Sequence, residues 1–201
     1  MLNRIIEKIV SFWTDKDIIK KEDEDIYIYG LTLIFSTMIN IAMVMVSAVI
    51  MGRVLESIAL LAMIIPLQSC GGGYHAKTHL KCFLIMFLGW WAVTPMIPYI
   101  TLPIGTAIAC TSLAIVFTLA PVRHVNVPMS KERFAKMKII VRRIAILGAV
   151  SGVWLLWFGG RAGLIGGSLI MGMAVVAFSI AIARLFYWRD GKTAAERQGA
   201  V

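Results

Sequence analysis

Residues 71–82 contain a histidine and a cysteine seven positions apart, in the order Gly-Gly-Gly-Tyr-His-Ala-Lys-Thr-His-Leu-Lys-Cys. The pair is His75 and Cys82. A cysteine thiolate is a strong nucleophile, and a histidine within hydrogen-bonding reach can accept its proton as a general base. An apolar run begins at Cys82, so the pair lies at the mouth of a hydrophobic helix. The pattern indicates a membrane-embedded cysteine peptidase.

Three cysteines compete for the role of nucleophile: Cys70, Cys82 and Cys110. The unpaired N–H groups at a helix N-terminus, and nearby lysines, favour the thiolate form. We expect Cys82 in the first turn of a helix, with Lys81 beside it and Lys77 upstream. Cys70 instead follows a helix C-terminus, where the helix dipole has the opposite sign. Cys110 lies inside an apolar run and is predicted to be a small core residue. Electrostatics therefore favours Cys82.

The spacing alone leaves the identity of the base open. On one straight helix, His75 and Cys82 would be separated by about 10.5 Å of rise, so His75 reaches the thiol only if the chain folds back. His79, three residues before Cys82, would contact it without a bend. His75, His79 and Cys82 also permit a metal-dependent hydrolase, because His-x3-His places two imidazoles on one helical face. That alternative lacks the glutamate of His-Glu-x-x-His sites.

The composition places this chemistry in a membrane. Hydrophobic residues make up 59% of the chain and charged residues 15%, with a mean hydropathy of +0.82, which excludes a large soluble domain. We predict an all-α polytopic membrane protein with about six transmembrane helices. The spans are placed at residues 27–51, 54–69, 82–100, 102–120, 139–159 and 164–187. Pro66 is expected to bend or stop the second. No charged residue lies well inside a span, which argues against a third function, a non-enzymatic transporter or scaffold.

The N-terminal residues 1–14 are predicted to form an amphipathic helix, because Ile5, Ile6, Ile9, Val10 and Trp13 recur at helical spacing. This helix lies either in the membrane interface or on the protein's own cytosolic face. Residues 1–201 are expected to be a single integral-membrane domain. Its bundle covers residues 27–187, and a cytoplasmic tail follows at 188–201.

The distribution of basic residues predicts the orientation. Cytoplasmic loops carry an excess of Lys and Arg, and six spans place eighteen of the 20 basic residues on one side, leaving Arg53 and Arg161 on the other. We therefore expect a multi-pass protein of the cell membrane whose two termini face the cytoplasm, together with the segment from His75 to Cys82.

The glycine-histidine-cysteine segment resembles a known family, and a second element agrees with it. The matching residues are Gly72-Gly73-Tyr74-His75-Ala76 with Cys82, and Ala120-Pro121-Val122 with Asn126-Val127-Pro128 ahead of a basic stretch. Together with six spans and an amphipathic start, they are similar to the accessory gene regulator B (AgrB) family of membrane peptidases.

The resemblance implies an enzyme of Gram-positive quorum sensing. Such an enzyme removes the C-terminal tail of a small AgrD-like precursor peptide and closes the remainder into a cyclic thiolactone or lactone. The family's catalytic pair falls on His75 and Cys82, and His79 has no role in that pattern. The family often has an arginine upstream of its glycines, where the nearest residues here are Gln68 and Ser69. We expect no cofactor, no metal and no nucleic acid, and we expect membrane lipid and a second copy of the chain as partners.

Two further sets of residues have a functional interpretation and an ordinary one. The backbone of Gly72 and Gly73 could donate to an oxyanion, or it could form a flexible turn. A set of basic residues could hold an acidic precursor tail, or it could be the usual cytoplasmic excess of positive charge, in contact with anionic lipid. These residues are Lys77, Lys81, Lys131, Arg133 and Lys136.

Overall fold

The structure is a computed structural model that describes residues 2–73, 79–122 and 131–198. Within these ranges, the side chains of residues 2–4, 29, 33, 79–82, 131 and 187–198 are outside the description.

The described residues form seven α-helices and no strand, which confirms the predicted all-α polytopic fold. The helices are α1 (Leu2–Asp15), α2 (Glu24–Ile50), α3 (Val54–Gly71), α4 (His79–Val93), α5 (Leu102–Leu119), α6 (Lys131–Phe158) and α7 (Gly160–Gln198), with 3₁₀ turns at Lys21–Asp23 and Thr94–Tyr99.

Five described helices, α2, α3, α5, α6 and α7, are long and apolar enough to cross a membrane. The predicted span at 82–100 differs, because α4 ends at Val93 and a 3₁₀ segment continues to Tyr99. Pro95 and Pro98 explain the change, since each lacks the N–H that an α-helix would use there. The shorter apolar segment Phe83–Tyr99 therefore stands where a sixth long span was predicted.

Helix α3 continues through Pro66 to Gly71, so of the two effects predicted for Pro66, a bend or a stop, the stop does not occur. The missing N–H removes one helical hydrogen bond, and packing holds the turn that follows. Leu67 is fully buried. A Cβ on Gly71 would lie 2.9 Å from Val141 Cγ2 of α6 and 3.4 Å from Ile180 Cδ1 of α7.

Helix α1 packs against α2, as its amphipathic pattern allows. Ile6 and Val10 are fully buried, and the ring of Trp13 meets that of Tyr27 edge-on at 6.4 Å between centroids. Phe12 remains more than half exposed, with its ring suited to headgroup depth. One face of α1 thus packs against α2, whereas other apolar side chains of the helix, such as Phe12, are exposed.

The centre of the bundle consists of α3, α5, α6 and α7, with α7 in contact with the other three, and buried residues of α2 and α4 complete the core. Helices α6 and α7 approach closely at glycines, because a Cβ on Gly166 would lie 2.5 Å from the carbonyl oxygen of Gly152. Small residues commonly permit such contacts between membrane helices.

Helix α4 is attached to the core through a buried hydrogen bond. The Nε1–H of Trp90 donates to Ser57 Oγ of α3 at 3.0 Å, and Trp90 is 3% exposed. Trp90 is therefore a core residue, whereas its neighbour Trp91 is 42% exposed.

Two helices extend beyond their predicted spans at the same end of the bundle. Helix α6 begins at Lys131, and α7 continues to Gln198, so most of the expected tail at 188–201 is helical. Val141 and Ile180 lie at the level of Gly71. From that level α6 extends about 15 Å to Lys131, and α7 about 27 Å to Gln198.

Candidate active site

The glycine run at the end of α3 is packed against the chain that leaves α5. We call Gly71, Gly72, Gly73 and Val122 the glycine junction. The N–H of Val122 donates to the carbonyl oxygen of Gly71 at 3.0 Å. A Cβ on Gly72 would lie 3.0 Å from the carbonyl oxygen of Val122, and Gly72 has a φ of +71°. Both the close approach and the left-handed backbone require glycine at this position.

The two glycines proposed as oxyanion donors differ in what their N–H groups do. The N–H of Gly72 donates to the carbonyl oxygen of Gln68 at 3.0 Å and so terminates α3. The N–H of Gly73 has no backbone acceptor among the described residues. Of the two candidates, Gly73 is therefore the one whose N–H is not committed to a described backbone carbonyl.

The predicted catalytic pair lies on the segment that follows the junction. His75 and Lys77 are outside the described residues, and so is the side chain of Cys82. The described part of α4 begins at His79, which places the backbone of Cys82 in the first described turn of that helix. His79 and Lys81 share this first turn, with their side chains outside the description.

Polar side chains from two helices meet beside Gly73. A Cβ on Gly73 would lie 2.7 Å from Ser179 Oγ of α7 and 3.6 Å from Gln68 Nε2 of α3. The sequence analysis assigned no role to either residue. The signal was present, because both are polar residues within long apolar runs.

Arg142 is a charged, part-buried residue at this level of the bundle, and the sequence analysis missed it. Its Nη2 donates to the carbonyl oxygen of Phe117 of α5 at 2.8 Å, and its guanidinium carbon lies 4.9 Å from the centre of the Phe117 ring. Arg142 was counted only among the basic residues of the cytoplasmic side. Its position next to Val141, which contacts Gly71, could not be predicted from that count.

The basic residues proposed to hold a substrate tail are only partly brought together. Lys131, Arg133 and Lys136 lie in the first two turns of α6, beyond the level of the glycine junction. Lys136 forms an exposed ion pair with Glu132 at 2.8 Å.

The remaining cysteines and cavities lie apart from this segment. Cys70 is half-buried against the core, whereas Cys110 is exposed on α5, so the prediction of a core position for Cys110 was wrong. Two cavities, of about 660 Å³ after α1 and about 270 Å³ between α3 and α7 near Arg161, include none of the proposed site residues. The described residues contain no cluster of three metal-ligating side chains.

Comparison with known proteins gives one match. The family model of accessory gene regulator B (AgrB) matches residues 2–183, most of the chain. Neither the curated proteins nor the solved structures contain a significant match.

The packing of the glycine junction can be tested by substituting two glycines that both have a positive φ. Gly52 has a φ of +67° with no atom near its Cβ position, whereas Gly72 has a φ of +71° and a ψ of −169° and faces Val122. Alanine at Gly52 should cost about 1–2 kcal/mol of unfolding free energy because of φ. Gly72→Ala should cost about 1–3 kcal/mol from its backbone conformation and about 1–3 kcal/mol more from the forced contact. Unfolding in mixed detergent micelles measures both, and a loss at Gly72 no larger than that at Gly52 would contradict the close approach.

Proposed function

Because the chain belongs to the accessory gene regulator B family, whose members process autoinducing peptides, we propose that it is a membrane cysteine endopeptidase. It removes the C-terminal tail of an AgrD-like precursor peptide and cyclises the remainder. The observation that carries the proposal is the backbone position of Cys82 in the first described turn of α4, eleven residues after the close-packed end of α3 at Gly71. A position at the N-terminal end of a helix favours a thiolate through the helix dipole.

The proposed reaction has two acyl transfers. His75 accepts the thiol proton of Cys82, and the thiolate attacks the carbonyl carbon of the scissile peptide bond. The N–H of Gly73 is suited to stabilise the oxyanion. The C–N bond then breaks, the departing amine takes the proton from His75, and the precursor remains attached as a thioester.

Ring closure follows from the thioester. A side-chain thiol or hydroxyl of the bound peptide loses its proton to His75 and attacks the thioester carbonyl. Cys82 leaves as a thiolate and regains the proton. The thioester keeps the acyl-transfer potential that this exchange needs, so no nucleotide is consumed. Slow hydrolysis requires that water be excluded, which a site at the membrane surface favours.

We propose that both termini and the catalytic segment face the cytoplasm. The support is the charge distribution: the described end of the bundle that carries the glycine junction also carries the basic start of α6, while Arg53 and Arg161 lie at the opposite end. The homodimer expected from the sequence stays a prediction.

The catalytic assignment predicts a sharp difference between the two neighbouring histidines. Proteoliposomes with the wild-type protein should release a tail fragment from the precursor, as measured by mass spectrometry. Cys82→Ala and His75→Ala should reduce the rate by at least about a thousandfold. His79→Ala is the matched control and should remain within severalfold of wild type.

Other outcomes would redirect the assignment. Loss of activity in His79→Ala with retention in His75→Ala would make His79 the base. Cleavage that persists in Cys82→Ala and disappears with a chelator would replace the thiol mechanism by metal-dependent hydrolysis.

We also propose that the start of α6 holds an acidic precursor tail, using Lys131, Arg133 and Lys136 with Lys77 and Lys81. Reversing the charge of the three α6 residues to Glu should raise the KM for the precursor about tenfold or more, because like charges would then face the tail. The matched control reverses Lys16, Lys20 and Lys21, an equal charge change between α1 and α2, and should leave KM unchanged. Normal insertion with a normal KM in the α6 variant would leave these residues no role beyond orientation and lipid contact.

A further inference from the structure

The end of α5 leaves the backbone carbonyl of Phe117 without its helical partner. Helix α5 ends at Leu119, and the N–H of Ala120 donates to Val116 at 3.1 Å. The next carbonyl, that of Phe117, would accept from residue 121, which is a proline and has no N–H. An unsatisfied carbonyl in a membrane-embedded bundle is costly, so Phe117 needs a donor from elsewhere.

Arg142 supplies that donor from the adjacent helix. Its Nη2 lies 2.8 Å from the Phe117 carbonyl oxygen, and the guanidinium stacks over the Phe117 ring at 4.9 Å. A charged donor forms a stronger hydrogen bond than a neutral one. The Nε of Arg142 is buried and has no hydrogen-bond partner in the part of the chain that the structure describes. The positive charge of Arg142 is thus held in a part-buried position. A residue that only added charge to the protein surface would not need to lie there.

The bond to Phe117 is connected to the glycine junction by a short stretch of chain. Five residues after Phe117, the N–H of Val122 donates to the carbonyl oxygen of Gly71. Val141, the residue before Arg142, also packs against the junction, because a Cβ on Gly71 would lie 2.9 Å from Val141 Cγ2. Arg142 therefore links the end of α5 to α6 near the place where α6 and the chain that follows α5 both contact the end of α3.

We propose that Arg142 is a positioning residue for the peptidase reaction, and this inference rests on the proposed function. By holding the end of α5, it keeps Val122 bonded to Gly71, so that the chain leaves α3 in one direction toward His75 and Cys82. Loss of the guanidinium would let the junction shift and would misalign the histidine and the thiol. Misalignment of about 1 Å is enough to slow an enzyme by about a hundredfold.

Arg143 provides the matched control, because it has the same charge on the same helix and is exposed. If Arg142 contributed only positive charge to the cytoplasmic side, Arg142→Gln and Arg143→Gln would behave alike. Arg142→Lys tests rescue, since an ammonium can donate to the Phe117 carbonyl but cannot reproduce the planar guanidinium over the ring.

The experiment uses the full chain in proteoliposomes with Cys70→Ala and Cys110→Ala, which leave Cys82 as the sole thiol. Three quantities are measured for each variant: thermal unfolding, kcat and KM for the precursor peptide, and the rate of Cys82 alkylation by iodoacetamide from pH 5 to pH 10. We expect Arg142→Gln to lower kcat about ten- to hundredfold with little change in KM. Its alkylation profile should move to higher pH, Arg142→Lys should be intermediate in both, and Arg143→Gln should match wild type.

A folded Arg142→Gln protein with wild-type kcat and alkylation profile would overturn the proposal. If Arg142→Gln does not fold, the test passes to Arg142→Lys. Intermediate kcat and alkylation values in that variant support positioning. Wild-type values, or failure of Arg142→Lys to fold as well, assign Arg142 to bundle stability alone. Cys82→Ala in the same series separates the two claims, because cleavage by that variant would defeat the proposed function whatever Arg142 does.

Discussion

The backbone polar groups at the ends of α3 and α5 must be satisfied inside an apolar bundle, and the rest of the site depends on how this is done. Water is not freely available there, and an unpaired N–H or C=O is costly. The N–H of Val122 pairs with the carbonyl of Gly71, and the N–H of Gly72 pairs with that of Gln68. These bonds bring two chain segments so close that only glycine fits between them.

This constraint explains why the glycine run is more than a flexible turn. A Cβ on Gly71 would crowd Val141, one on Gly72 would crowd Val122, and one on Gly73 would crowd Ser179. Helices α6 and α7 and the chain that leaves α5 thus converge on three consecutive residues at the end of α3. The chain that follows leads to Cys82 in the first turn of α4, so the packing that ends α3 also sets the direction in which the proposed catalytic segment begins.

Much of the fold could be predicted from the sequence, because apolar runs in a bilayer leave few alternatives to helices. Apart from the third span, the boundaries agreed to within about four residues, except that α6 begins eight residues before its predicted span and α7 ends eleven residues after its own. Pro95 and Pro98 changed the third span, whereas Pro66 did not stop the second, because burial of Leu67 and Gly71 outweighs one missing hydrogen bond. Packing against other helices cannot be predicted from the residues next to a proline alone.

The candidate site was less predictable for the same reason. The polar residues around the glycine junction, Gln68, Ser179 and Arg142, come from three different helices. No regular spacing in the sequence connects them. Arg142 was counted with the cytoplasmic charges, although its guanidinium satisfies the Phe117 carbonyl that Pro121 leaves free. Trp90 is likewise buried against Ser57 of α3, to which it donates a hydrogen bond. In each case the partner is distant along the chain.

The measurement that tests the central claim most directly is detection of the covalent intermediate. A precursor whose ring-closing thiol or hydroxyl is replaced by alanine cannot displace the thioester, so the acylated enzyme should accumulate after rapid acid quench. Intact-mass analysis should show the protein heavier by the tail-less peptide, and peptide mapping should place a hydroxylamine-sensitive acyl group on Cys82. Release of the tail with no acyl group on Cys82 at any time would contradict the account.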